Sequence, residues 1–544
     1  MWTMKQKKGI LNLEVMKMMR KITILNLNIF SVLLLLVLFS GCQAVSIEEA
    51  EIVLESGEHH FESLMSEAEI NYVVPTSVPN IKVNQLGYLP GSVKMAIFRG
   101  DNLPKEFRVI NERGQAVFTG LIEERGYNSI TSEQISYGFF TDLNIAGTYY
   151  IEAQIVGRSY HFRIEEDIYD PVFVAAGRQY FLNRCGISLT EEFAGRGAQS
   201  ACHMARVELR EDASVSLDVS GGWHQDLSGS KDAVTACNVI NFLLLSYELN
   251  GEQFGDSTNI PESGNYIPDI LDEVRYAIEW LLKMQDATTG AVYSGVSVFP
   301  STNSDSYTAY VEPPNVQAAK IFIATMAKFS YLYQDFDTAF ATLCLQAADR
   351  AWRYLNRNHR DLLDESYFFA AAEMYRAAGY HTYHNVVIQY LNSDDYQNSF
   401  DSSNKTIMMG AVTYLLTRKR VDRGLCSEIM KDIMKVAEEV VARARLSFYL
   451  TGGNSKQDNN NDLLADMFYL TIVNNIIPNH EYGTMIENHL HYFMGRNSAG
   501  ISYIDDVGEL NYKNLDNRLG IMNQIESNAK LIFMLSEIKS HANG

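Results

Sequence analysis

The chain changes its hydrophobic period once, near Asp170, and that change limits the fold more than any other feature. From about Ile81 to Glu165, short alternating runs (KMAIF, FRVI, AVFTG, GTYYIEA, SYHFRI) are separated by Gly, Asn and Pro turns. Alternation sends successive side chains to opposite faces, and the number and spacing of the runs predict a small β-sandwich. From Asp170 onward the apolar residues recur with a helical period instead. In PDILDEVRYAIEWLLKMQD, Ile270, Val274, Ile278 and Leu281 line one face, while Asp272, Glu279 and Lys283 face away. VQAAKIFIATMAKFSYLY, FATLCLQAADRAWRYL, SYFFAAAEMYRAAG, EIMKDIMKVAEEVV and LLADMFYLTIVNNII repeat the pattern. Many helices without a short exact repeat predict a closed helical barrel or a solenoid.

A length of 544 residues calls for more than one domain. The expected divisions are an export segment over 1–42, an acidic linker over 43–79, a sandwich over 80–166 and a helical domain over 167–544. Lys17, Arg20 and Lys21 precede an apolar stretch that ends in SVLLLLVLFSGCQA, the parts of an export signal. Ser40-Gly41-Cys42 is similar to a bacterial lipoprotein box, with Cys42 as the residue that would carry lipid and anchor the exported protein at a membrane surface; a plain N-terminal membrane anchor is the alternative. Met18 or Met19 is the expected start of translation, since the preceding residues are unlike a signal. Between Ile47 and Ile70 there are eight Glu and no Lys or Arg, which reads as a solvated tether. The formal charge of −21 offers little to neutralise phosphates and argues against a nucleic-acid partner. It suits an exported protein that meets a neutral substrate.

Five cysteines follow Cys42, at 185, 202, 237, 344 and 426. Their odd count and wide spacing match neither a disulfide framework nor paired zinc ligands, so most of them read as small buried hydrophobes and no metal site is assigned. DNNND, Asp458 to Asp462, offers oxygens at alternate positions and makes structural calcium a candidate. Leu463 stands where the calcium loop wants Gly, and Tyr469 where it wants Glu, which favours a helix-capping turn. No other cofactor is indicated.

The stretch that looks chemical is DVSGGWHQDLSGSKD, Asp218 to Asp232: paired glycines, an aromatic, a histidine, acids and hydroxyls. Asp226 reads as a general base or as a loop carboxylate closing a turn. Trp223 and His224 read as a platform for the apolar face of a sugar ring or as packing. Asp505, Asp506 and Glu509 form an acidic stretch after the GRN tripeptide, at a cleft mouth or on the plain surface.

IKVNQLGYLP, Ile81 to Pro90, resembles the start of the immunoglobulin-like domain that precedes many glycoside hydrolase family 9 cellulases. GGWH at Gly221 to His224, PDILDEVRYAIEWLLKMQD, AAAEMYRAAG, the Cys185-Gly186 pair and HYFMGRNSAGISY at His491 to Tyr503 resemble that family's catalytic domain, in the family's order. The resemblance implies an Ig-like β-sandwich followed by an all-α (α/α)6 barrel, with a cleft for β-1,4-linked glucan or a related polysaccharide. It also implies an inverting reaction in which one carboxyl activates water and another protonates the leaving oxygen. Laid on this chain without gaps, the family's two aspartates fall on Gln225 and Ser228, which leaves Asp226 as candidate base. Its acid falls on Met522, and Glu526 follows about one helical turn later as candidate acid. The loop that holds sugar through His and Arg in the family is reduced to about twenty residues here, without His. Two readings follow: a cellulase-type enzyme, or a glycan-binding surface protein without turnover.

Overall fold

A computed structural model of the chain describes residues 75, 77–300, 307–452, 460–514 and 520–542. The export segment, Cys42 and the acidic tether lie outside these residues, as do Asp458 and Asn459 of the DNNND run. Asn460 to Asp462 open the helix Asn460–Ile476.

The alternating runs form two facing sheets. One orders Ile81–Lys82, Met95–Arg99, Glu133–Phe139 and Glu123–Asn128. The other orders Gly87–Tyr88, Phe162–Ile164, Gly147–Ala153, Glu106–Asn111 and Ala116–Leu121, with Gly157–Arg158 on its side. Every second residue points inward, so Phe98, Phe107, Val109, Ile151 and Phe162 fill one apolar core.

Helices begin at Asp170–Leu182. Ala233–Asn250, Val316–Tyr333, Glu365–Ala378, Lys405–Leu416, Asn460–Ile476 and Ile525–Ala542 each pack on the next, and the last returns to the first. These helices are buried nearly all round, whereas Thr338–Asn358 and Arg423–Leu446 bury one stripe. Side-chain caps start many of them: Asp232, Asn315, Asp337, Asp364, Asn404, Asp422 and Asn479 each accept a backbone N–H of the first turn.

Two expectations need correction. The helical reading from Asp170 onward overlooks a five-stranded sheet of Ser216–Leu217, Val207–Leu209, Tyr307–Val311, Gly295–Pro300 and Lys231–Asp232. Most of its strands are shorter than a period can reveal, and they are drawn from loops between helices. Asp272 does not face away from the core but is buried with Asp269 and Glu273. Asn265 Nδ2 donates to Asp272 Oδ2 at 3.1 Å, and burial pushes that carboxyl up to about 7.

The sandwich docks through the IKVNQLGY segment. Gln85 N–H donates to Met494 O at 2.8 Å, its side-chain amide donates to Gly500 O at 2.9 Å, and its side-chain oxygen accepts from Leu510 N–H at 3.2 Å. Asn84 Nδ2 meets His491 Nδ1 at 3.0 Å. Gly495 and Gly508 have positive φ, and a Cβ on either would stand 2.4 or 2.5 Å from the Gln85 side chain.

Inside the helical domain four charges share one dry site. Lys328 Nζ lies 2.7 Å from Glu248 and 3.5 Å from Glu373; Arg376 lies 2.5 Å from Glu248 and 2.6 Å from Glu373. Thr413 Oγ1 also donates to Glu373 at 2.7 Å, so four of the ring helices meet here. Removing one partner of such a network strands a buried charge. Arg376→Met is therefore expected to destabilise the protein by about 3–5 kcal/mol in urea unfolding, because Glu248 and Glu373 lose a shared cation.

Candidate functional site

Arg184 places the glycine loop. Its guanidinium is buried, with Nη2 2.9 Å and Nε 3.2 Å from Glu273, and Nη1 and Nη2 2.9 and 3.0 Å from Glu262. The Arg184 backbone bridges that of Trp223, and Cys185 N–H donates to Gly222 O at 2.8 Å. Gly221 and Gly222 both take positive φ, and a Cβ at Gly222 would stand 2.9 Å from the Trp280 ring. The paired glycines are thus required by backbone shape and by the indole beneath them.

Trp223 is 2% exposed, packs its ring 4.8 Å from Tyr180 and donates Nε1–H to Glu273 at 3.3 Å. It presents no face to a ligand, so the expected sugar platform is corrected to core packing. His224, half-buried, turns toward another group altogether, described below.

Gln225 is closed onto the backbone of Asp232. Its Nε2 donates to Asp232 O and its Oε1 accepts from Asp232 N–H, both at 2.8 Å. An ionised carboxylate could accept the second bond but could not donate the first. Asp226 is exposed, and its Oδ1 accepts from Ser228 Oγ at 2.6 Å, Ser228 N–H at 2.9 Å and Ser230 N–H at 3.0 Å. Partial burial opposes its ionisation, but the Ser228 and Ser230 bonds outweigh it and hold the carboxyl below the usual range. Asp226 therefore closes a turn and is ionised at neutral pH, with less basicity than an unbonded carboxylate.

Met522 is buried, 1% exposed. Glu526, in the first turn of Ile525–Ala542, pairs with Lys405 and lies 3.5 Å from Lys530. Burial raises its pKa, yet the two ammonium groups more than offset this and keep it below the ordinary carboxylate range. A general acid needs the reverse shift, so this environment opposes the role expected for Glu526. Among the described residues, Asp226 and Glu526 share no hydrogen-bond or ion-pair partner. In the acidic loop, Asp505 accepts from Tyr512 and lies 3.4 Å from Lys513, Asp506 pairs with Lys513 at 3.0 Å, and Glu509 is exposed.

The structure gathers a group that the spacing of the cysteines conceals. Donor atoms of Cys185, Cys202, His203 and His224 all lie within 4.8 Å of one another. Cys202 Sγ is 3.4 Å from His224 Nε2, and Cys185 Sγ is 3.7 Å from His203 Nδ1. Zinc bonds of about 2.3 Å to sulfur and 2.0–2.1 Å to nitrogen, at a tetrahedral angle, set those atoms about 3.5 Å apart. Two thiols and two imidazoles thus fit a zinc ion in number, softness and spacing. Bound there, the ion would supply a cross-link between three loop segments, and four protein donors would leave no open position for catalysis. The hydrogen bond from Cys185 holds Cys202 well below the ordinary thiol range, while the same bond and burial push the Cys185 thiol up, so an incoming metal would displace the proton on Cys185. Lys231, itself buried, donates to Cys185 Sγ at 3.3 Å and to Val219 O and Gly221 O at 2.8 and 2.7 Å. The reading of these two cysteines as plain hydrophobes is corrected. The available signal was the Cys202-His203 dipeptide together with His224 in GGWH.

The model for glycosyl hydrolase family 9 matches residues 169–538, and that for the cellulase N-terminal ig-like domain matches residues 76–158. The chain belongs to glycosyl hydrolase family 9. Endoglucanase D of Acetivibrio thermocellus is 26% identical over 463 residues, covering 79% of this chain and 73% of that protein. A xyloglucan-specific endo-beta-1,4-glucanase of Bacteroides ovatus is 25% identical over 510 residues, 82% of this chain and 84% of that one. The solved structure of a metagenome-derived family 9 endoglucanase superposes with a TM-score of 0.75 at 24% identity, over 85% of this chain and 99% of that chain.

The four-donor group predicts that added Zn2+ raises the unfolding temperature and that a chelator reverses the gain. Stabilisation should reach about 2.7 kcal/mol at a hundredfold excess over Kd. Cys202→Ser should abolish both the thermal shift and the bound zinc measured by elemental analysis.

Proposed function

We propose that this family 9 protein engages β-1,4-linked glucan or a related polysaccharide on an (α/α)6-barrel cleft, with the hydrolytic step weak or lost. One observation carries the reading: the Gln225 amide is committed as both donor and acceptor to Asp232. By the resemblance drawn from GGWH, that position holds one of the family's carboxylates. Ser228, at the other, bonds to Asp226 and lies 2.9 Å from Ser230 Oγ. The acid position falls on Met522, in the apolar interior. Inversion needs a base and an acid about 6.5–9.5 Å apart around a water, and neither role has a well-prepared group here.

The second reading, a hydrolysing endo-β-1,4-glucanase, is favoured by the names of the relatives and by Asp226, an exposed ionised carboxylate in the right loop. The two readings separate in one assay. Each proton transfer contributes about 10²–10⁴-fold, so reducing-end release from soluble β-1,4-glucan should lie orders of magnitude below that of an ordinary family member. Retardation in a glucan-containing gel should persist. Asp226→Asn should remove residual turnover without changing retardation. Robust hydrolysis that survives Asp226→Asn would overturn the proposal.

Location at the cell surface is part of the same reading and is supported by the SVLLLLVLFSGCQA segment. In a bacterial host, labelled fatty acid should be incorporated into the full chain and not into Cys42→Ala. Equal labelling of both would exclude a lipid anchor at Cys42.

A further inference from the structure

Between the sandwich and the helical domain lies a cavity of about 630 Å3 that shares no residue with the glycine loop or the four-donor group. The loop Leu89 to Val93 forms its sandwich side. Opposite it, His480, Gly483, Thr484 and Glu487 recur at three- and four-residue spacing on the helix His480–Phe493 and so share one face. Asn474, Glu537 and His541 complete the wall, and Glu166 stands exposed at the sandwich-to-helix connection.

The two inner carboxylates of this cavity are treated differently. Glu537 is saturated: it accepts from Asn474 Nδ2 at 2.8 Å, from Asn475, and from His541 Nε2 at 2.8 Å. Glu487 has no ion-pair partner among the described residues. Of the cations that act on it, His480 lies on the same helix face, and Lys94 spends its hydrogens on the carbonyls of Leu89, Pro90 and Ser92 at 3.4, 2.6 and 3.0 Å. Arg496 turns to Asn488, with Nη2 2.6 Å from its side-chain oxygen. Burial pushes Glu487 up; the Ser92 hydroxyl and the charges of Lys94, His480 and Arg496 lower it only in part. A carboxylate that lines a cavity without an ion pair among the described residues can still take a direct charge-assisted hydrogen bond from a ligand.

The surroundings favour a cation over an anion. The helices Asn460–Ile476 and Ile525–Ala542 bring their C-terminal ends here, through Asn474 and His541, against one N-terminal end at His480. C-terminal ends carry partial negative charge. The volume lies within the roughly 300–1,000 Å3 that holds small organic ligands. Among the described residues, the carboxylates and imidazoles here do not converge as the four donors around Cys185 do, which disfavours a bare metal ion.

We propose that this cavity binds a small organic amine, with its ammonium group on the Glu487 carboxylate. The Asn479 and Thr484 side chains offer polar contacts to the rest of such a molecule. Calorimetric titration of the full chain with glucosamine, putrescine and glucose tests the assignment. At least one amine should bind with a Kd of about 1 mM or tighter, while glucose, which matches glucosamine in size but lacks the amine, should not displace it. Glu487→Gln keeps the shape and removes the charge; it should weaken amine binding at least about tenfold. Its unfolding temperature without ligand should be unchanged or higher, since a half-buried carboxylate without an ion pair among the described residues is gone. Failure of both amines to bind, or amine binding that Glu487→Gln leaves intact, would refute the assignment.

Discussion

Glu273 is the constraint on which the loop geometry rests. It is a fully buried carboxylate, and a buried charge is tolerated when its counter-ion and hydrogen bonds are supplied in fixed geometry. Arg184 and the Trp223 indole supply them. Because Arg184 directly precedes Cys185 and bridges Trp223, that one carboxylate fixes two chain segments. The helix Asp269–Lys283 delivers Glu273, so the loop is referenced to a rigid element and not to its own turns.

From that fixed base the glycine loop serves two ends. Lys231 ties Cys185 to the carbonyls of Val219 and Gly221, and Gln225 ties the next residue, Asp232, back across the loop. Asp232 in turn caps the helix Ala233–Asn250. The amide at 225 is thus a member of a continuous polar path from the thiol of Cys185 to a helix of the central ring. A loop arranged this way is well suited to hold shape and poorly suited to move a proton, the physical content of the proposed loss of turnover.

The sequence reveals features that depend on a period or a local motif, and conceals those that depend on distant partners. The sandwich and the helices were legible because each repeats its pattern over many residues. The strands Gly295–Pro300 and Tyr307–Val311 were not, because their pairing with Lys231–Asp232 and Val207–Leu209 joins strands far apart in the chain. Asp272 looked solvent-facing because helical phase alone ignores Asn265 and the loop that folds over it. Trp223 looked like a platform because aromatic type says nothing about burial. The four-donor group escaped because its members lie at 185, 202, 203 and 224, a spacing that no short metal motif carries. Gln225 could be placed by resemblance, but its two bonds to Asp232 required coordinates.

The seam formed by Asn84 and Gln85 has a consequence for biosynthesis. Their partners, His491, Met494, Gly500 and Leu510, come more than 400 residues later, with sequence separations of 407, 415 and 425 for three of the side-chain bonds. A ribosome releases the sandwich long before the surface that receives it exists, and domains generally fold as they emerge. Part of the waiting face is made of amides, which water can satisfy meanwhile, whereas an apolar seam would stay exposed for the whole of elongation. The choice of Asn and Gln at this junction therefore protects a chain whose two ends must meet last.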